Sequence, residues 1–572
     1  MSSHPSPIQA LKLRVTQGSN VFEDPISSSS LGPNSLQITS QTFPVIFNAF
    51  NNNPPGTIFN PSVVATYATG TFPTGDDLLI PSTQANFLAR IISLSNIPNK
   101  ETTDTSFSLS SLITTVSAGV LSYSSTNTSV ATVNSSGQVT PVGVGTTTIT
   151  VSQAATANHP AGSASATLTV TLPIPRSWVQ RGQDIDGEAV GHNSGTSVSL
   201  SADGTIVAIG AILNDGSGYF DNGHVRVYVW NGTAWVQRGQ DIDGEASDDQ
   251  SGYSVSLSAD GTIVAIGAQF NDGNGSGSGH VRVWAWNGTA WVQRGQDIDG
   301  EAAFDFSGTS VSLSADGTIV AIGAYDNDGN NGFGRGHVRV WAWNGTAWVQ
   351  RGQDIDGEAV SHYDYSGTSV SLSADGTIVA IGAILNDGSG YFNNGHVRVY
   401  VWNGTAWVQR GQDIDGEASE DRSGMSVSLS ADGTIVAIGA ILNDGNGSNS
   451  GHVRVYAWNG TAWVQRGLDI DGKAAGDQSG TSVSLSADGT ILAIGAQFND
   501  GNGSDSGHVR VWAWNGTAWV QRGQDIDGEA SNDRSGRSVS LSADGTIVAI
   551  GAILNDGNGY FDNGHVRVFK YQ

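Results

Sequence analysis

Ser197-Val-Ser-Leu-Ser-Ala-Asp-Gly-Thr-Ile-Val-Ala-Ile-Gly-Ala211 reads as a β-hairpin. Its first part alternates apolar and small polar side chains, the period of a pleated strand. Asp203-Gly204 tolerates positive φ and so supplies a tight turn. The run from Thr205 to Ala211 is almost continuously apolar, as expected of a strand covered on both faces. Further on, Val225, Val227 and Val229 alternate with His224, Arg226 and Tyr228 in a third strand. Asn231-Gly232 makes a second tight turn, and Trp235 to Gln240 reads as a fourth strand.

The unit recurs. Trp-Val-Gln-Arg-Gly starts at Trp178, Trp235, Trp291, Trp348, Trp407, Trp463 and Trp519, at intervals of 56 to 59 residues. Ser-Leu-Ser-Ala-Asp-Gly-Thr and Gly-His-Val-Arg-Val each occur once per copy. A four-stranded sheet that is apolar on both faces cannot remain single in water. Stacking seven of them around a ring covers both faces and leaves only short edges, so the expected fold is an all-β, seven-bladed β-propeller. A linear solenoid would need polar caps on its terminal units, which these copies lack. The region opens on a lone fourth strand at Trp178 and ends on a third strand, His565 to Tyr571. The phase therefore predicts that strand 178–183 pairs in the last blade and closes the ring.

Ser194-Gly195 before the first strand, Gly210-Ala211 ending the second and Gly223-His-Val-Arg-Val227 opening the third resemble the FG-GAP repeats of integrin alpha-chain propellers. The resemblance spans all seven units. Ser stands where that family has Phe, and Ile, Gln or Tyr replaces its Pro after Gly-Ala. It also implies calcium between the first and second strands. Here that turn is only Ala202-Asp-Gly-Thr205, too short to form an oxygen cage.

Upstream, Ser129-Val-Ala-Thr-Val133, Gly143-Val-Gly-Thr-Thr-Thr-Ile-Thr-Val151 and Ala164 to Thr171 give short alternating strands. They resemble a bacterial Ig-like β-sandwich of surface adhesins, placed at 92–172, where such domains serve as spacers. Residues 1–91 are rich in Ser, Asn and Pro and read as either a further β-rich domain or a partly disordered arm. Leu172-Pro-Ile-Pro175 links them to a propeller at 173–572.

The chain has 572 residues, no Cys and a formal net charge of −27. Missing thiols exclude disulfides, thiol nucleophiles and thiolate metal sites. The first 172 residues hold only Lys12, Arg14, Arg90 and Lys100 against six carboxylates, so the acidity belongs to the repeats. Such a surface repels phosphate backbones, which argues against nucleic acid. No apolar run reaches membrane-spanning length, and the first residues lack the apolar core of a secretory signal.

Asp184-Ile-Asp-Gly-Glu188 recurs in every copy, with Lys473 replacing Glu in the sixth. Alternating carboxylates beside a Gly turn could supply calcium ligands, making Asp184, Asp186, Glu188, Asp241, Asp243, Glu245, Asp297, Asp299 and Glu301 candidates. The same pattern also suits a turn whose carboxylates meet backbone N–H groups or an Arg. His224 and its copies, one per blade, read as structural rather than metal-binding, and the Trp230–Trp235 type of pair as outer-hairpin packing.

The copies differ in two loops, those joining strand four to one and strand two to three. Strands alternate in direction, so both loops emerge on one face. Aromatic residues recur there: Tyr219, Phe220, Phe304, Phe306, Phe333, Tyr363, Tyr365, Tyr391, Phe392, Tyr560 and Phe561. They are candidates for ligand binding, although drift in unconstrained loops gives the same pattern. No phosphate loop, His-Glu-x-x-His or Gly-x-Ser-x-Gly element occurs. The expected function is non-enzymatic adhesion or binding of a protein or glycan on a cell or virion surface. The alternatives are a polysaccharide-acting enzyme using the channel and a purely structural module. Oligomeric state and ligand stay open.

Overall fold

The computed structural model describes residues 92–572 apart from 117, 157–160, 173–175, 329–333 and 359–362. Within 1–91 it describes the strands Ile8–Gln17, Asn20–Pro25, Ile58–Tyr67, Leu78–Ile80 and Phe87–Leu88, which form one antiparallel sheet. Two compact units result, Met1–Pro175 and Arg176–Gln572.

In the first unit, Leu121–Ser125, Gly145–Gln153, Gly162–Thr171 and Lys100–Glu101 make one sheet. Ala131–Val133, Gln138–Pro141 and Phe107–Ser108 make a second. Their inner faces enclose Leu109, Val130, Val139, Ile149, Leu168 and Val170, all buried. Gly145–Gln153 alternates buried and accessible residues, the mark of a sheet packed on one face. This is an Ig-like β-sandwich.

The second unit is a seven-bladed β-propeller. In the first blade Ser194–Leu200, Ile206–Ala211, His224–Trp230 and Trp235–Gln237 pair in that order, all antiparallel. The fourth strand is in two pieces. After Gln237 the chain leaves the ladder, and Ile242–Asp243 rejoins it opposite Val225 and His224. Between the pieces only the Arg238 N–H still reaches strand three, at the Val227 carbonyl, a break that the unbroken strand expected from Trp235 to Gln240 did not include. The break recurs in the other six blades.

Trp178–Gln180 and Ile185–Asp186 pair with His565–Tyr571, so the last sheet takes its fourth strand from the start of the propeller. Trp178 donates its indole N–H to the Arg522 carbonyl at 2.7 Å and packs on Tyr571 at 5.1 Å between ring centroids. Equivalent indoles reach into the preceding blade throughout, as Trp291 does to the Arg238 carbonyl.

Blades share their cores. Ile206, Ala208, Val225 and Val227 pack with Leu257, Val264 and Ile266 of the next blade and with Trp291. Each such aliphatic side chain contributes about 1.5–3 kcal/mol on burial. Polar seams run beside these cores. The N–H of Ala202 bonds the carbonyl of Ala259, Ala259 bonds Ala315, and the chain continues through Ala374, Ala431, Ala487 and Ala543 back to Ala202, each at 2.8 Å. A parallel circuit joins Ser199 Oγ to the Leu257 N–H, and so on round to Ser540 Oγ and the Leu200 N–H, each bond about 2.9 Å long. A Cβ on Gly210 would collide with the carbonyl of Gly252 in the next blade, which explains why Gly-Ala and Ser-Gly recur as a pair.

Two predictions follow from this packing. Trp178→Ala should cost about 3–5 kcal/mol, the usual penalty for truncating a buried Trp. Trp291→Ala, in the middle of the repeats, should cost about the same; both are read from chemical denaturation. The second concerns the turn carboxylates. For Asp316, burial alone would raise the pKa, but hydrogen bonds from Ser314 and Thr318 outweigh it and hold the group below its ordinary value. A lowered folded pKa stabilises above the unfolded value, about 3.8, and that stability disappears as pH falls through the folded one. The melting-temperature gap between wild type and Asp316→Ala should thus be widest at neutral pH and shrink below about pH 3.8.

Candidate functional site

The rim loops before each first strand are built on a buried carboxylate. Asp249 accepts the N–H groups of Glu245 and Ala246 at 3.1 and 3.0 Å and the Asn271 amide at 3.1 Å. Asp305 accepts those of Glu301 and Ala302 at 3.0 and 2.9 Å. The first copy has His192 instead, whose Nδ1 lies 3.0 Å from the Asn214 amide nitrogen. Each loop is also zipped to the preceding blade: Asp248, Gln250 and Ser251 donate to the carbonyls of Phe220, Asp221 and Asn222.

Residues flanking the carboxylate are held left-handed. Phe304 and Phe306 have φ of 66° and 54°, Tyr365 has 54°, and Asp248, Gln250, Glu420 and Arg422 fall between 53° and 69°. Side chains with a Cβ avoid this region, so the hydrogen-bonded frame imposes it. The frame is constant and the displayed side chains vary.

At two neighbouring loops the displayed residues are aromatic and they meet. Phe304 packs on Phe306 at 6.5 Å, and Phe306 stacks on Tyr325 at 5.4 Å with planes 12° apart. Tyr325 meets Tyr365 edge-on at 5.1 Å, and Tyr365 meets Tyr363 at 5.6 Å. Phe270 adds a further edge contact to Phe306 at 5.4 Å. Phe304 and Tyr363 remain 59% and 50% exposed, so the chain of rings ends in open faces. Burial pushes the Tyr325 phenol up to about 12, with nearby Asp326 adding to the effect, so its hydroxyl is neutral. Burial, together with Asp328 and Asp305, raises the Asp326 carboxyl as well.

Tyr219 and Phe220, Tyr391 and Phe392, and Tyr560 and Phe561 are exposed beside the short 3-10 turns Gly216–Gly218, Gly388–Gly390 and Gly557–Gly559. These pairs stand on three separate blades. Phe333 lies outside the described residues. Phe270 and Tyr325 are not among the candidates above because they directly follow strand two, outside the variable stretch. Comparing the copies at that position holds the signal: four carry Ile-Leu, the second and sixth carry Gln269-Phe270 and Gln497-Phe498, and only the third carries Tyr325-Asp326.

The candidate metal carboxylates do not converge copy by copy. Asp184 and Asp186 face His565, whereas Glu188 reaches forward to His224 and Asp241 of the next blade, with Arg226 Nη1 3.4 Å from its Oε1. Asp243 and Glu245 divide in the same way: Asp243 pairs in register with His224, while Glu245 joins His280 and Asp297. Glu301 likewise goes with His337 and Asp354, one blade on from Asp299. No single Asp-Ile-Asp-Gly-Glu segment is therefore a calcium cage. The family-type position fits no better, since Asp203 Oδ1 already accepts Ser201 Oγ, Thr205 N–H and Thr205 Oγ. The His copies are buried and held neutral: burial lowers His565 to about 4, and Arg567 adds to the shift.

Among known families, the FG-GAP repeat matches residues 414–456 and 469–511, and the intimin immunoglobulin-like domain matches 114–155. No curated protein shows significant similarity to the chain. Solved structures with a similar fold include a putative 6-phosphogluconolactonase from Bacteroides uniformis, 14% identical, covering 59% of this chain and 86% of its own at a TM-score of 0.41. The periplasmic gluconolactonase of Pseudomonas aeruginosa is 16% identical, covering 63% and 97% at 0.41. The GH74 xyloglucanase of Xanthomonas campestris is 11% identical, covering 66% and 52% at 0.38. Likeness at this level does not transfer an activity. Both matched families are of extracellular type, and among the described residues no helix is long and apolar enough to cross a membrane. The repeats and their pairing make the second unit a seven-bladed β-propeller that carries FG-GAP repeats at 414–456 and 469–511, and the first unit holds an Ig-like domain matched at 114–155.

Proposed function

We propose that the chain is an extracellular, non-enzymatic adhesion protein whose propeller rim binds a ligand displayed on a surface, with a neutral glycan as the favoured class. The observation that carries this reading is the chain of rings Phe304–Phe306–Tyr325–Tyr365–Tyr363, a run of packed aromatic rings across two neighbouring loops of the rim. Exposed aromatic faces supply apolar contact area, and the phenols and nearby carboxylates supply hydrogen bonds, the mixture that a sugar ring needs. The formal charge of −27 disfavours anionic ligands. The innermost strands support binding over catalysis, since Arg537 is their only charged side chain among the described residues. Ligand presented repetitively would add avidity.

A glycan array probed with the full chain tests this. Phe304→Ala combined with Tyr363→Ala should reduce the signal at least about tenfold, equivalent to about 1.4 kcal/mol. Both side chains are half exposed or more, so melting should stay within about 0.5 kcal/mol of wild type. Phe561→Ala, on a distant blade, should leave the signal in place. Full binding by the double variant would overturn the rim assignment.

A further inference from the structure

We propose that the seam closing the ring is a binding site for a divalent transition-metal cation of the zinc class, held by His565 Nδ1 with the carboxylates of Asp184, Asp186 and Glu529. The site draws on both ends of the propeller. Asp184 and Asp186 come from its first turn of sequence, His565 from its last strand and Glu529 from the link before the last blade.

The geometry converges on one atom. Asp184 Oδ2, Asp186 Oδ1 and Glu529 Oε2 lie 3.8, 4.0 and 3.9 Å from His565 Nδ1. The imidazole side chain is only 1% exposed, and its Nδ1 has no hydrogen-bond partner. A buried nitrogen aimed at three carboxylate oxygens, beyond hydrogen-bond distance from each, is costly unless something bridges them. Tetrahedral zinc with bonds of about 2.0–2.2 Å places its ligands about 3.4 Å apart. The carboxylates, 31%, 18% and 42% exposed, can close the remaining half-ångström or so by rotation. A polar cleft of about 530 Å³ lined by Asp184, Asp186, Glu529 and Asn555 gives the ion a way in. Arg567 Nη1 is 3.5 Å from Glu529 Oε1, which leaves Oε2 for the site.

The sixth copy also points to a cation. His508 Nδ1 again faces Asp525 Oδ2 at 3.8 Å and Asp527 Oδ1 at 3.9 Å, but Lys473 stands where the other copies have Glu. Its ammonium is bonded directly to Asp525. At this seam the chain supplies its own positive charge in the place assigned to the metal elsewhere. The same three-residue grouping recurs at Glu188–His224–Asp241, Glu245–His280–Asp297, Glu301–His337–Asp354 and Glu358–His396–Asp413. An imidazole donor among carboxylates selects zinc-class ions over calcium, which prefers all-oxygen shells.

The test uses the full chain after treatment with a chelator, titrated with Zn²⁺ and, for its visible spectrum, Co²⁺. Zn²⁺ should raise the melting temperature, and Co²⁺ should give tetrahedral d–d absorption that excess Ca²⁺ does not displace. His565→Gln should lower the bound stoichiometry by about one. Lys473→Glu should raise it by about one, whereas Lys473→Gln should not. The Lys473 pair keeps the test decisive even if His565→Gln fails to fold. Unchanged stoichiometry in Lys473→Glu, or displacement of Co²⁺ by Ca²⁺, would overturn the proposal.

Discussion

No blade of this propeller can satisfy its own backbone. The N–H of Ala202 has its partner in the next blade, and the debt passes from blade to blade until Ala543 returns it to Ala202. A row of such units would leave one donor and one carbonyl bare at its ends, along with half a core. Only closure pairs every member, so the ring is one cooperative object rather than seven modules. Each sheet must therefore fit a neighbour on both of its faces. The Gly210–Gly252 approach shows how little tolerance that leaves.

Much of this was legible in the sequence because it is periodic. The strand period, the turn dipeptides and the 56–59-residue spacing of Trp-Val-Gln-Arg-Gly fix the blade and the number of blades. What escaped was whatever depends on a neighbour. At the interruption after Gln237 the Arg238 carbonyl accepts the indole N–H of Trp291 in the next blade. Reading Asp184-Ile-Asp-Gly-Glu188 as one unit kept together carboxylates that the fold divides between two seams. His224 could be placed on its strand but not beside Glu188, because the two belong to different copies and meet only across the blade boundary. The aromatic chain was half visible: Phe304, Phe306, Tyr363 and Tyr365 lie in an obviously variable loop, whereas Phe270 and Tyr325 directly follow strand two, where four of the copies carry Ile-Leu and read as a continuation of its apolar run.

The rim loops and the seams between blades use the repeat in opposite ways. At the seams the chemistry is repeated and nearly invariant, and the one exception, Lys473, changes the sign of a charge. At the rim the frame is repeated but its contents are not, because Asp249 and its counterparts hold the backbone while adjacent positions vary freely. A rigid support with interchangeable display positions lets new specificities arise without repacking the cores.

The pairing of Trp178–Gln180 with the final strand also bears on biosynthesis. The segment that completes the last sheet is made first, and its partner emerges only when the propeller is otherwise finished. At about 5–20 residues per second, that segment waits on the order of a minute with an unsatisfied edge. During that interval the closing strand has no partner of its own, and the ring becomes complete only with the last residues made.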